Sequence, residues 1–164
     1  LENPFIGLDE YNCFGCAPDN PAGLKMAFFD DGEAIRSRWE PSDHFQGYKQ
    51  VLHGGVQAAL MDELASWYVF AKLGTSGVTQ GMQISYHKPV FTNGGVIELT
   101  GTLERMERNI AYIRVGLRQL SRAKADEVHA EAECRYFTYP EHIATRRLHY
   151  PGQDAFYHGK ETME

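Results

Sequence analysis

The chain has 164 residues, 43% of them apolar and 23% charged, as expected of one soluble domain with room for a real core. Its net charge of −6, with basic residues scattered rather than clustered, argues against a nucleic-acid partner. No apolar run reaches the ~20 residues that span a bilayer, the first residues lack the basic-then-apolar layout of a secretion signal, and three cysteines, an odd number, read as reduced thiols in the cytoplasm.

Residues 1–23 form a lead-in loop, since "EYNCFGCAPDNPAGL" mixes Cys, Gly, Pro, Asn and Asp without apolar periodicity. Cys13 and Cys16 make a C-x-x-C, but no second such pair and no spaced histidine pair completes a zinc set. No βαβ unit suggests a redox dithiol either, so the stretch reads as a loop held by small residues, with no metal. The seven histidines show no H-E-x-x-H spacing. Two short strands are predicted at "LKMAFF" and "EAIRSRW", parted by the turn Asp30-Asp31-Gly32.

After the loop "EPSDHFQGYKQ" comes "VLHGGVQAALMDELASWYVFA". Val56, Leu60, Leu64 and Trp67 recur at helical spacing, and Met61, Tyr68, Val69 and Phe70 fill the other sides. A helix apolar nearly all round is surrounded by protein. Four strands with period-two alternation follow: "VTQGMQISYH", "GVIELTGTLE", "AYIRVGLRQ" and "EVHAEAECRYF". In the first, Val78, Met82, Ile84 and Tyr86 are expected on one face, with Thr79, Gln83, Ser85 and His87 on the other. Beyond Tyr139 the chain turns irregular and polar. The predicted class is α+β: an antiparallel sheet of five or six strands over residues 24–139, wrapped around one long central helix, with an extension at 140–164.

The helix carries two carboxylates, Asp62 and Glu63. A buried, unpaired carboxylate costs several kcal/mol, so each needs a partner or a use. Asp62 and Ser66 are spaced i, i+4 and project from one side, where together they could hold a water for general-base hydrolysis. Glu63 lies ~100° round the helix and reads as a paired structural charge. Gly54 and Gly55 open the helix, where N–H groups without intrahelical partners can receive an oxyanion. His53, just before them, either supports the same oxygen or orients the loop.

Gly54 and Asp62 are eight residues apart, ~12 Å along a helix axis. A nucleophile must come within ~3–3.5 Å of the carbonyl it attacks. One helix cannot supply both groups to one carbonyl. Two antiparallel copies could, which predicts a two-fold homodimer with two shared sites.

"FQGYKQVLHGGVQAALMDELAS" resembles the active-site segment of hot-dog-fold acyl-CoA thioesterases of the phenylacetic acid degradation type, and the likeness runs from about Cys13 to Tyr139. The resemblance implies a hot-dog fold, an acyl-CoA substrate and no further cofactor, in a homodimer or a dimer of dimers. It implies Asp62 as base or nucleophile, the Gly54 amide as the donor that polarises the thioester carbonyl, and His53 beside it. Ser66 would position the attacking water, and Gly55 and Thr79 would help shape the substrate site. Relatives place an Asn or Gln six positions before the histidine; here that position is Gly47, and the glutamine, Gln46, comes one residue early. Two other functions fit the same segment: hydration or dehydration of an enoyl thioester, with His53 as base, and non-catalytic binding of acyl-CoA.

Overall fold

The computed structural model of the protein describes residues 1–157. Its elements are β1 (Phe28–Asp31), β2 (Ala34–Trp39), α1 (Gly54–Lys72), β3 (Gly77–Tyr86), β4 (Ile97–Glu107), β5 (Ile110–Gln119), β6 (Ala130–Thr138) and α2 (Glu141–Leu148). The six strands form one antiparallel sheet in the order β1-β2-β4-β5-β6-β3, and α1 lies across its inner face. This is the expected hot-dog arrangement, with six strands.

Alternation places Ile113, Val115 and Leu117 of β5 and Ala130, Ala132 and Cys134 of β6 inward, all fully buried. They meet Leu60, Met61, Leu64 and Ala65 of α1, each fully buried, and each large apolar side chain so buried contributes roughly 1.5–3 kcal/mol. Small residues set the approach of the helix. A Cβ at Gly101 would stand 3.0 Å from Leu64, so helix and sheet meet closely only because that side chain is missing.

The first strand runs later than expected, since Asp30 and Asp31, read as part of a turn, pair with Ile35 and Ala34, and two further departures bear on the site and its cover. The pairing of β3 with β6 slips between Thr79 and Gly81, so Gln80 is an extra, bulged residue. Thr79 pairs with Tyr136, whereas Met82 pairs with Cys134 and Ile84 with Ala132. Paired residues share a face, so Thr79 stands on the helix side with Met82 and Ile84, not opposite them.

The second of these lies beyond Tyr139. Residues expected to be irregular form α2, which ends at His149 in the left-handed region with φ 54°. Tyr150 and Phe156 then pack on Phe70 of α1, and Phe5 of the lead-in loop joins them. The Glu2 N–H donates to the Phe156 carbonyl at 3.0 Å, tying the two ends of the described chain together. These ends cover the side of α1 that faces away from the sheet. Hence a helix apolar nearly all round needs no second sheet. Residues 158–164 of the expected extension lie outside the described residues.

Candidate active site

α1 begins at Gly54 because His53 caps it. The Gly55 N–H donates to His53 Nδ1 at 2.9 Å, and the Val56 and Gln57 N–H groups donate to the His53 carbonyl. The imidazole therefore orients the turn and occupies the Gly55 amide. The Gly54 N–H has no hydrogen-bond partner among the described residues. The Gly54 carbonyl accepts from the Tyr86 hydroxyl at 2.8 Å, which fixes the helix start against β3.

Gln46 reaches the same region despite its offset. It bridges to Leu52, and the Gly47 N–H donates to the Val51 carbonyl, so the segment folds back on itself. Gln46, His53 and Gly55 thus line one groove of about 410 Å³, with Phe14, Phe45 and Val56 as its apolar walls. Gln46 Oε1 accepts the Gln50 N–H at 3.1 Å.

Two turns along the helix, Asp62 is half-buried on the side facing β3 and β6. Its Oδ1 accepts from Thr79 Oγ1 at 2.9 Å and from the Tyr136 hydroxyl at 2.7 Å. The same Tyr136 hydroxyl lies 2.8 Å from the Asp62 carbonyl oxygen. Desolvation, with the Asp62 charge beside it, holds Tyr136 well above the ordinary tyrosine range, so it stays a donor. Both hydroxyls contact Oδ1, and Oδ2 has no hydrogen-bond partner among the described residues.

Thr79 was legible in the sequence; Tyr136 was not. The one signal for Tyr136 was its size on an inward face otherwise made of Ala130, Ala132 and Cys134.

Ser66 is not among the partners of Asp62. It lines a separate cavity of about 630 Å³ between α1 and the chain ends, with Glu63, Cys13, Cys16 and Phe70. Ser76 lines it too, and its buried hydroxyl has no hydrogen-bond partner among the described residues. Glu63 Oε1 accepts from the Trp67 indole at 3.2 Å and lies 3.6 Å from Cys13 Sγ. It is paired, as expected, but with a ring and a thiol rather than a cation. Burial, then the Cys13 charge, pushes its carboxyl up to about 7. The Cys16 thiol donates to Cys13 across 3.4 Å, which holds Cys13 below the usual thiol range, with backbone N–H groups of Cys16 and Gly15 adding to the effect.

The chain therefore presents one carboxylate held by two hydroxyls, and one helix start with an unoccupied amide, on the same side of α1. Residues 49–125 match the model of the thioesterase superfamily. No curated protein matches the chain. Among solved structures, a thioesterase superfamily protein is 22% identical with a TM-score of 0.62, over 73% of this chain and 57% of that one. The chain thus spans little more than half of that relative's length. A Streptococcus mutans UA159 protein bound to acetyl CoA is 18% identical, with a TM-score of 0.61 over 71% of this chain and 90% of that one. A phenylacetic acid degradation-related protein from Ralstonia eutropha JMP134 is 21% identical, with a TM-score of 0.59 over 71% of this chain and 86% of that one. At such identities the structural likeness is one of fold.

Proposed function

We propose that this chain, a hot-dog fold whose central segment matches the thioesterase superfamily, hydrolyses an acyl-CoA thioester to the free acid and CoA. The single observation carrying this reading is Asp62, an ionisable carboxylate held by Thr79 and Tyr136 on a side of α1 that opens to solvent. Coenzyme A chemistry is supported by the Streptococcus mutans neighbour, which was solved with acetyl CoA. No helix among the described residues is long and apolar enough to cross a membrane. The three free cysteines fit a reducing cytoplasm.

In the reaction, Asp62 takes a proton from water as that water attacks the thioester carbon, or attacks the carbon itself and is released by water afterwards. The carbonyl oxygen gains charge and is received by a Gly54 N–H at the positive end of a helix. Collapse of the tetrahedral species expels the CoA sulfur, which takes up the proton.

The Gly54 amide comes from the partner subunit. β3 is a ten-residue strand at the free edge of the sheet, and an unpaired edge of that length invites pairing with another copy. Along β3, Thr79 stands beside Asp62 and Tyr86 beside Gly54. Two antiparallel β3 strands, paired so that Thr79 meets the partner's Tyr86, bring Asp62 toward the partner's Gly54 in both sites at once.

Two variants and their co-expression test this. Asp62→Asn keeps the shape but not the base, and acyl-CoA turnover followed by thiol release is expected to fall by about 10³-fold. Unchanged turnover refutes the assignment. Gly54→Pro removes the amide hydrogen and keeps the helix start, because proline suits the first position of a helix and a Cβ there meets Tyr86 at an ordinary 3.5 Å. His53 already has the extended backbone that a following proline requires, with φ −58° and ψ 133°. A loss of about 10²–10³-fold is expected. Co-expressing the two inactive variants gives mixed dimers that each retain one intact site, and recovery of about a quarter of wild-type activity is expected. No recovery would mean that each chain works alone.

A further inference from the structure

We infer that Cys13, Cys16 and Glu63 form a site for a zinc-type divalent cation, with two thiolates from the lead-in loop and one carboxylate from α1. The inference is independent of thioester hydrolysis, since none of the three touches Asp62.

The sequence alone offered two ligands and no completing pair. The fold brings the third from fifty residues away. The ligand atoms of all three lie within 4.8 Å of one another. Cys13 Sγ is 3.4 Å from Cys16 Sγ and 3.6 Å from Glu63 Oε1. A tetrahedron with Zn–S of about 2.3 Å and Zn–O of about 2.0–2.2 Å has S–S edges of roughly 3.8 Å and S–O edges of roughly 3.5–3.7 Å. The two edges that meet at Cys13 are already within about 0.4 Å of those lengths.

The loop is built to hold this shape. The Ala17 N–H donates to the Cys13 carbonyl, the Leu24 N–H to the Phe14 carbonyl and the Met26 N–H to the Gly15 carbonyl. A Cβ at Gly15 would overlap the Glu63 carboxyl, so glycine is what lets the loop close over the acid.

Two of the three ligands also have an outer partner, as metal ligands usually do. The Trp67 indole donates to Glu63 at 3.2 Å. The Tyr11 hydroxyl lies 3.0 Å from Cys16 Sγ and itself accepts from Asn3 Nδ2 at 2.9 Å. Three acidic side chains thus converge, two of them with polar groups behind them, and the partners of Glu63 are a thiol and an indole rather than a cation. A divalent cation satisfies that arrangement, and thiolates with one carboxylate favour zinc over harder ions. Binding releases the thiol protons and changes no oxidation state. All three ligands line the 630 Å³ cavity, so the fourth position opens toward it and takes a water. Such an ion would staple the lead-in loop, and with it the Phe14 wall of the groove beside His53, to the central helix.

The full chain, purified reduced and without chelator, is expected to carry about one zinc by elemental analysis. Stripped and titrated with Co²⁺, it should show thiolate-to-cobalt charge-transfer absorption, which Cys13→Ser and Cys16→Ser abolish. Glu63→Gln should bind at least about 10-fold more weakly in competition with a chelator. Asp62→Asn should keep its full metal content, which separates failure of this site from failure of the esterase reading. If the serine variants do not fold, the wild-type titration and Glu63→Gln still decide. The inference is overturned if reduced wild type takes up neither zinc nor cobalt, or if Glu63→Gln binds as tightly as wild type. It is also overturned if the metal-free protein is isolated two hydrogens lighter, with Cys13 bonded to Cys16.

Discussion

Asp62 and Glu63 are neighbours in sequence and opposites in surroundings. Both sit in the middle of α1, ~100° apart around its axis. Asp62 looks toward β3 and β6, where two hydroxyls hold Oδ1 and solvent is near. Glu63 looks toward the chain ends, where a loop closes over it and burial favours its protonated form. The same chemical group is thus made available on one side of the helix and confined on the other. What differs is what the chain places opposite: a free sheet edge on the working side, and a layer of aromatic rings and loop on the holding side.

That division can be broken from either side. The largest effect is expected from Asp62→Asn, a loss of about 10³-fold in turnover (some 4 kcal/mol) with an unfolding midpoint close to wild type. Next comes the holding side. Phe156 is fully buried and stacks on Phe70 and Tyr150 while meeting Trp67 edge-on. Phe156→Ala should cost about 3–5 kcal/mol, seen as a lower denaturant midpoint, while kcat of the folded fraction stays within about two-fold. A fall in kcat as large as that of Asp62→Asn would mean the two sides are not separate.

Tyr136→Phe sharpens the working side. It deletes the hydroxyl that contacts both Asp62 Oδ1 and the Asp62 carbonyl and leaves the ring in place. Hydrogen bonds to charged groups contribute about 1.5–3 kcal/mol, so kcat should drop by roughly 10- to 100-fold. Because Tyr136 positions Asp62 rather than the substrate, KM should hardly move. A rise in KM with kcat unchanged would instead place Tyr136 in substrate binding.

The difference between the two carboxylates also marks how far the sequence could be read. Period-two alternation located β3 to β6, and apolar crowding located α1, because those patterns follow from burial alone. The Asp62–Thr79 contact was half legible. Thr79 was expected near the site, but strict alternation put it on the wrong face, since the one hint of a bulge in "VTQGMQ", Gly81, does not say on which side of it the register slips. Tyr136 and the Glu63 cluster were not legible. Both are contacts across seventy-four and fifty positions, which only the closed sheet and the folded-back loop create. The C-terminal layer escaped because α2 is short and polar, and the apolar residues that anchor the layer, Tyr150 and Phe156, fall outside it.

The smallest expected effect lies where the holding side begins, at Lys72, the last residue of α1. Its ammonium donates to Asp30 Oδ1 and Oδ2 at 2.6 and 2.7 Å, and the Tyr157 hydroxyl donates to the same carboxylate at 2.7 Å. Burial acts to raise the Asp30 carboxyl, but these hydrogen bonds and the Lys72 charge outweigh it and hold it below the usual carboxylate range. A group lowered in the folded state binds fewer protons there than in the unfolded chain. Its contribution is therefore complete above the unfolded value of about 3.9 and is lost as pH falls through the lower, folded value. Asp30→Asn should accordingly cost about 1 kcal/mol at pH 7 in urea unfolding, and the gap to wild type should narrow steadily as pH falls below about 4. Turnover should be untouched, because the pair sits at the far end of α1 from Gly54, with Lys72 ten residues along the chain from Asp62. A gap that persists at pH 2 would mean that the asparagine disturbs packing rather than removing a charge. A loss of turnover would mean that the chain ends reach Asp62 through the helix.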